Sequence, residues 1–132
     1  MTDCLTHTKG LVFRNQYHVI FCPKYRRSVL TDGIDERLKQ ILRQDAEEIG
    51  ISLEVLELTP NHVHLYLSFD PRLGIHNVVK RLKATTSRIL RDEFPSLKSR
   101  LPSLWTRSYF CCTVGQIDDA EVERYIEDQK GV

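Results

Sequence analysis

Residues 62–69 read HVHLYLSF, and their strict alternation constrains this chain more than any other stretch. Successive side chains of a β-strand point to opposite faces. Val63, Leu65, Leu67 and Phe69 therefore share one face, while His62, His64, Tyr66 and Ser68 share the other. The apolar set must be covered by a core. Two imidazoles then stand side by side on the face that the core does not use, where packing explains them poorly.

The flanking sequence supplies the partners of this strand. Residues 13–22, FRNQYHVIFC, are aromatic and β-branched and predict a first strand. Ile34, Leu38, Ile41, Leu42 and Ile49 recur at helical spacing, with Asp32 as the expected N-cap and Gly50 as the stop. ISLEVLELT predicts a second strand, and Pro60-Asn61 turns it into the His62 strand. Ile75, Val78, Val79, Leu82, Ile89 and Leu90 mark a second amphipathic helix; FPSLKSRLPSLW is expected to be irregular. SYFCCTV predicts a fourth strand, Gly115 a break, and residues from about 117 to 129 a last helix. The order β-α-β-β-α-β plus one helix predicts an α+β, ferredoxin-like (RRM-like) fold: a four-stranded antiparallel sheet with two helices on one face. The two histidines project from the other, open face. The 132 residues are expected to form a single domain, 1–132.

Composition narrows the class. The chain is 41% hydrophobic and 28% charged, as in a soluble globular protein. No apolar run approaches the ~18 residues of a membrane helix, and MTDCLTHTKG lacks the apolar middle of a signal peptide. Cys4, Cys22, Cys111 and Cys112 form no C-x-x-C, and adjacent Cys111 and Cys112 would point to opposite faces of a strand. This is neither a disulfide framework nor a zinc knuckle, and a cytoplasmic location is expected. The net charge of +1 says nothing for nucleic acid, but charge is segregated. Basic residues concentrate in PKYRR and between Arg72 and Arg100, acidic ones between Asp118 and Asp128. That pattern suits a polyanion on one surface, though charge alone favours a set of solvated helix faces.

Imidazoles at i and i+2 on a strand can share one metal ion. The last helix, VERYIEDQ, places Tyr125 and Gln129 at i and i+4 on one face, with Val122 and Ile126 near enough to pack it. Glu127 and Asp128 sit off that stripe. By itself this helix reads first as amphipathic with one buried tyrosine.

In order and spacing, YHVIFCPKYRR, TPNHVHLYLS, RLKATTSRIL, LWTRSYFCCTV and VERYIEDQ together resemble the HUH single-tyrosine transposases of small insertion sequences, over nearly the whole chain. Val63 is then the hydrophobe between the two histidines. Asn61 departs from the Asp often found there, which alters turn or hydrogen bonding without removing a ligand. The resemblance implies His62 and His64 as metal ligands with Gln129 as the third through its amide oxygen, and Tyr125 as the catalytic nucleophile. Such a donor set suits Mg2+ or Mn2+. It further implies cleavage and strand transfer of single-stranded DNA through a covalent 5′-phosphotyrosine, recognition of hairpins at element ends, and a homodimer; active sites in that family are often shared between chains, while the short connection here equally permits a last helix packed on its own chain. Lys24, Arg26, Arg27, Lys80, Lys83 and Arg91 are the candidate DNA-binding residues. A palindrome-associated tyrosine transposase is a near relative, though typically longer. A non-catalytic ferredoxin-like nucleic-acid module would carry stacking aromatics on its open face; a small metalloprotein would leave the basic second helix unexplained.

Overall fold

The computed structural model describes residues 5–8, 10–113, 115 and 117–132. Its elements are β1 (Thr6–Thr8), β2 (Leu11–Phe13), β3 (Gln16–Phe21), α1 (Ile34–Ile49), β4 (Ser52–Thr59), β5 (His62–Ser68), α2 (Ile75–Glu93), α3 (Pro95–Arg100), β6 (Phe110–Thr113) and α4 (Asp119–Asp128). β4, β5, β3 and β6 form, in that order, an antiparallel sheet, and β1 and β2 form a separate hairpin. From β3 to β6 this is the expected ferredoxin-like core, with α4 appended.

Alternation sorts the side chains as the sequence requires. Val19 and Phe21 of β3 and Val63, Leu65 and Leu67 of β5 are at most 4% exposed, in one core with Leu38, Ile41 and Leu42 of α1 and Val78, Val79 and Leu82 of α2. Trp105 closes the end of this core: its ring meets Phe21 edge-on at 4.8 Å, and its indole N–H donates to Thr86 Oγ1 at 2.9 Å. Residues opposite one another across antiparallel strands share a face. Register therefore puts Phe110, Ile20, His64 and Glu57 in one row across the open face, and Cys112, His18, Tyr66 and Val55 in the next. Cys111 falls on the core face and Cys112 on the open face, as alternation predicts.

Four local expectations need correction. Phe13 belongs to the β1–β2 hairpin, so the first strand of the main sheet starts at Gln16; both pieces are apolar enough to read as one run. Asp32 does not cap α1: its backbone is left-handed (φ 56°), Gly33 takes the N-cap position, and the Ile34 amide donates to the Thr31 carbonyl. The FPSLKSR stretch is not irregular but contains the short helix α3, opened by Pro95 at its first position with Leu97 buried. Six residues are too few to display a helical period. The fourth strand begins only at Phe110, and Cys4, Val114 and Gln116 lie outside the described residues. Among the described residues, no helix is long and apolar enough to cross a membrane.

Candidate active site

His62 and His64 sit together on the open face because β5 starts at His62 and buries the intervening Val63 completely. The β4–β5 turn fixes the first ring. Thr59 Oγ1 lies 2.7 Å from His62 Nδ1, and Asn61 Oδ1 lies 3.0 Å from the same nitrogen. An amide oxygen only accepts, so the proton resides on Nδ1 and the lone pair of neutral His62 is on Nε2. Asn61, where an Asp was the commoner expectation, thus still orients the ring. His64 is held from both sides: Nδ1 stands 4.0 Å from Glu57 Oε2, and Nε2 is 3.0 Å from His18 Nδ1. His18 comes from β3 and stacks obliquely on both His64 and Tyr66. Burial, then the neighbouring His64, keeps His18 below the ordinary histidine pKa. Burial followed by His64 and Arg26 does the same for His62, against a small opposing pull from Glu57. Both shifts favour neutral, lone-pair-bearing imidazoles.

The tyrosine belongs to the far side of the same face. Asp118 caps α4 by accepting from the Ala120 amide, and the Tyr125 ring tilts against Phe110 of β6 at 5.9 Å. Its hydroxyl is 2.8 Å from Ser108 Oγ, and the same Ser108 oxygen donates to Gln129 Oε1 at 3.2 Å. The Ser108 proton is engaged by the amide oxygen, so Tyr125 must be the donor: the chain runs Tyr125 to Ser108 to Gln129. The Gln129 amide nitrogen completes the knot on the Tyr125 carbonyl at 3.2 Å, and Gln129 is only 6% exposed. Burial raises the Tyr125 phenol above its ordinary pKa; hydrogen bonds that Ser108 and Thr106 can offer a phenolate offset this in part.

The sequence-predicted residues thus fall into two groups. His62 and His64 are neighbours, and Tyr125 and Gln129 are neighbours. The groups are not in contact, because Phe110, beneath Tyr125, is two strands from His64, roughly 10 Å at ordinary strand spacing. Among the described residues, no three His, Cys, Asp or Glu side chains are grouped to hold a metal. His62 Nε2 and, once His18 releases it, His64 Nε2 would give a hard divalent ion two imidazole nitrogens and no thiolate, a partial set. A third donor has to arrive, and the Gln129 oxygen is engaged by Ser108.

The candidate DNA-binding cations divide as well. Lys24 lines a cavity of about 250 Å³ beside Ser108 and Gln129. Arg26 pairs with Glu127 of α4 at 3.2 Å, and Arg27 and Lys80 are exposed. Arg91 donates to the Pro102 carbonyl, about 16 Å along α2 from Lys80. Lys83 differs from the other cations of that set, although it lines a small cavity with Lys80 and Arg107. Its ammonium turns inward and donates to the Thr106 and Ser108 carbonyls at 2.6 and 2.9 Å, and burial lowers its pKa to about 8. Beside it, burial pushes the Cys22 thiol up to about 11, against the pull of Arg26 and Lys83.

Sequence reasoning missed His18, Ser108 and the inward role of Lys83. His18 was visible as an imidazole on the open face of the first strand. Ser108 carried no signal, since only the tertiary approach of α4 gives it a partner.

Residues 11–129 match the family model of IS200-like transposases, and the chain belongs to that family. It is a tyrosine transposase, an enzyme that cleaves and rejoins DNA. It is 39% identical over 123 residues to the ISDra2 transposase TnpA of Deinococcus radiodurans, covering 92% of this chain and 88% of that one. It is 29% identical over 127 residues to the transposase of insertion sequence element IS200 from Salmonella typhimurium, covering 95% and 81%. A crystal structure described as that of a transposase from Deinococcus radiodurans R1 superposes with a TM-score of 0.88 at 37% identity, covering 96% and 99% of the two chains. A REP-associated tyrosine transposase bound to a REP hairpin gives a TM-score of 0.53 at 11% identity over 92% of this chain and 68% of that one, a likeness of fold.

Proposed function

We propose that this transposase nicks and rejoins single-stranded DNA at hairpin-bearing ends, with Tyr125 as nucleophile, His62, His64 and Gln129 as ligands of Mg2+ or Mn2+, and two protomers sharing each active site. The observation that carries this reading is the division of the open face. Two oriented imidazoles stand on one side, and the one tyrosine of α4, bonded to the amide expected to complete the metal site, stands on the other. Both halves are furnished, but Phe110, beneath Tyr125, stands two strands from His64. A partner's α4 supplies what is missing.

The chemistry follows from the groups. The Tyr125 oxygen forms a bond to phosphorus, the bond from phosphorus to the 3′ oxygen breaks, and that oxygen leaves as a 3′-hydroxyl. The phosphodiester energy is kept in the phosphotyrosine, so a second 3′-hydroxyl can attack it and rejoin the strand without ATP. A bound divalent ion supplies polarisation of the scissile phosphate and stabilises the leaving oxygen. Thr59 and Asn61 hold His62 Nε2 outward for that ion, while Glu57 and His18 hold the ring of His64. Ser108 must release Tyr125 and Gln129 together, because one hydroxyl binds both.

The test uses end-labelled single-stranded and duplex oligonucleotides carrying the ends of the element, with Mg2+ and with EDTA. A labelled, denaturation-resistant protein–DNA adduct from the single strand alone, absent in EDTA, is expected. An equal yield from duplex, or full cleavage in EDTA, contradicts the reading.

A further inference from the structure

The loop before β6 carries two adjoining cavities, and one exposed arginine lines both. On one side Arg107, Lys24, Ser108 and Gln129 border the space of about 250 Å³ next to the Tyr125 hydroxyl. On the other, Arg107, Lys80, His76 and Tyr109 border a smaller hollow of about 130 Å³. The wall between them is the Thr106–Ser108 backbone, whose carbonyls are pinned from below by Lys83. Among the described residues, no aspartate or glutamate side chain lines either cavity, and Val132 also borders the larger one. The smaller one has an aromatic floor: His76 and Tyr109 stack with centroids 6.0 Å apart and planes 28° from parallel, and His76 Nδ1 lies 3.2 Å from the Tyr109 hydroxyl. Arg107 makes no ion pair among the described residues, unlike Arg26, Arg37, Arg72 and Arg81, which all hold carboxylates.

We infer that this groove is a binding track for single-stranded DNA, in which Arg107 clamps a backbone phosphate beside Tyr125 and the His76–Tyr109 pair stacks a neighbouring base. A cationic groove with interleaved aromatics is the chemistry that single strands need, since phosphates supply charge and unpaired bases supply π-faces. A guanidinium offers a planar fork to phosphate oxygens. Lys83 Nζ donates to the carbonyls on either side of Arg107, those of Thr106 and Ser108. The inference rests on the reading of this chain as a single-strand nuclease and names which cations steer the strand; neither Arg107 nor the aromatic pair was legible as a site.

The experiment is fluorescence anisotropy with a 5′-labelled oligothymidylate of about eight nucleotides, in EDTA, across a sodium chloride series. Each single-strand phosphate contact contributes about 0.7 to the slope of log affinity against log salt. Arg107→Gln is expected to reduce the slope by about that amount and to weaken binding severalfold. His76→Ala, an exposed position, is expected to weaken binding about fivefold with the slope unchanged, because stacking releases no counterion. Arg43→Gln removes the same charge from the solvent side of α1 and is expected to leave the slope unchanged. An unaltered slope in Arg107→Gln, or an equal loss in Arg43→Gln, overturns the inference. Without metal no cleavage enters, so this outcome is separate from the adduct assay: a chain that cuts DNA with an unaltered Arg107→Gln slope refutes the track and leaves the chemistry standing.

Discussion

The two ends of the open face are built on different principles. At the histidine end every partner is local or on an adjacent strand. Thr59 and Asn61 lie within three residues of His62, and Glu57 and His18 face His64 across the strand ladders. At the tyrosine end the partners are reached through side chains of other segments, with no strand ladder between them. Ser108 is 17 residues from Tyr125, and Arg26 is 101 residues from Glu127. No residue within α4 itself is fully buried. Regions with little buried apolar contact and few tethers open at low cost. The histidines are therefore fixed by the sheet, whereas Tyr125 is docked on it.

The sharpest way to break this comparison is to remove one end at a time. Tyr125→Phe loses only the phenolic oxygen, and its adduct formation is expected to fall on the order of a millionfold, as for other lost nucleophiles, while DNA binding persists. An adduct in that variant moves the nucleophile elsewhere. Mixing it with His64→Ala chains asks whether the ends must come from one protomer. Cleavage restored in proven heterodimers, and absent from either variant alone, is expected for a shared site; silence in those heterodimers ties each tyrosine to its own histidines.

A smaller effect tests the rigid end. Thr59→Val keeps the shape of the side chain and removes the hydroxyl on His62 Nδ1. Loss of a hydrogen bond that orients a metal-binding histidine costs about ten- to hundredfold in metal affinity, measured here by Mn2+ titration. An unchanged affinity would detach His62 from the metal. The docked end responds in the opposite sense. Ser108→Ala frees Tyr125 and Gln129 together, and with hydrogen bonds worth about 1 kcal/mol each single-strand cleavage is expected to rise severalfold. A fall would make Ser108 part of the reacting constellation.

The smallest effect concerns the clamp beneath that loop. Lys83 titrates at about 8 in the fold against an ordinary 10.5. Between those values the unfolded chain binds the extra proton, so the stability owed to this group rises with pH across that window. The melting temperature of the wild type is expected to gain on Lys83→Met by a few degrees from pH 8 to 10.5. A constant difference would mean that Lys83 is solvated.

The same contrast explains what could be read from the sequence. The β5 alternation and the periods of α1 and α2 are local, repeated signals, and they located the sheet, its covered face and the histidine pair. Asp32 misled because a good capping residue was outcompeted by a left-handed turn through Gly33. α3 and the first hairpin were too short to show a period. Ser108, Arg107 and the inward course of Lys83 depend on where the segment before β6 lies against α2 and α4, which no single stretch encodes.

Ile20 is fully buried although it faces away from the core, next to Phe110, on which the Tyr125 ring rests. The open face thus contains an apolar seat that wants a helix but is indifferent to whose helix it is. In a closed pair, exchange of two α4 segments leaves every seat filled, and the contacts before and after are the same in kind. An isolated chain has no such option: lifting α4 takes the Tyr125 ring off Phe110. If two copies pair as proposed, dilution would keep Tyr125 on its own sheet and pairing would free it, so that concentration would act as a safety catch on cutting DNA.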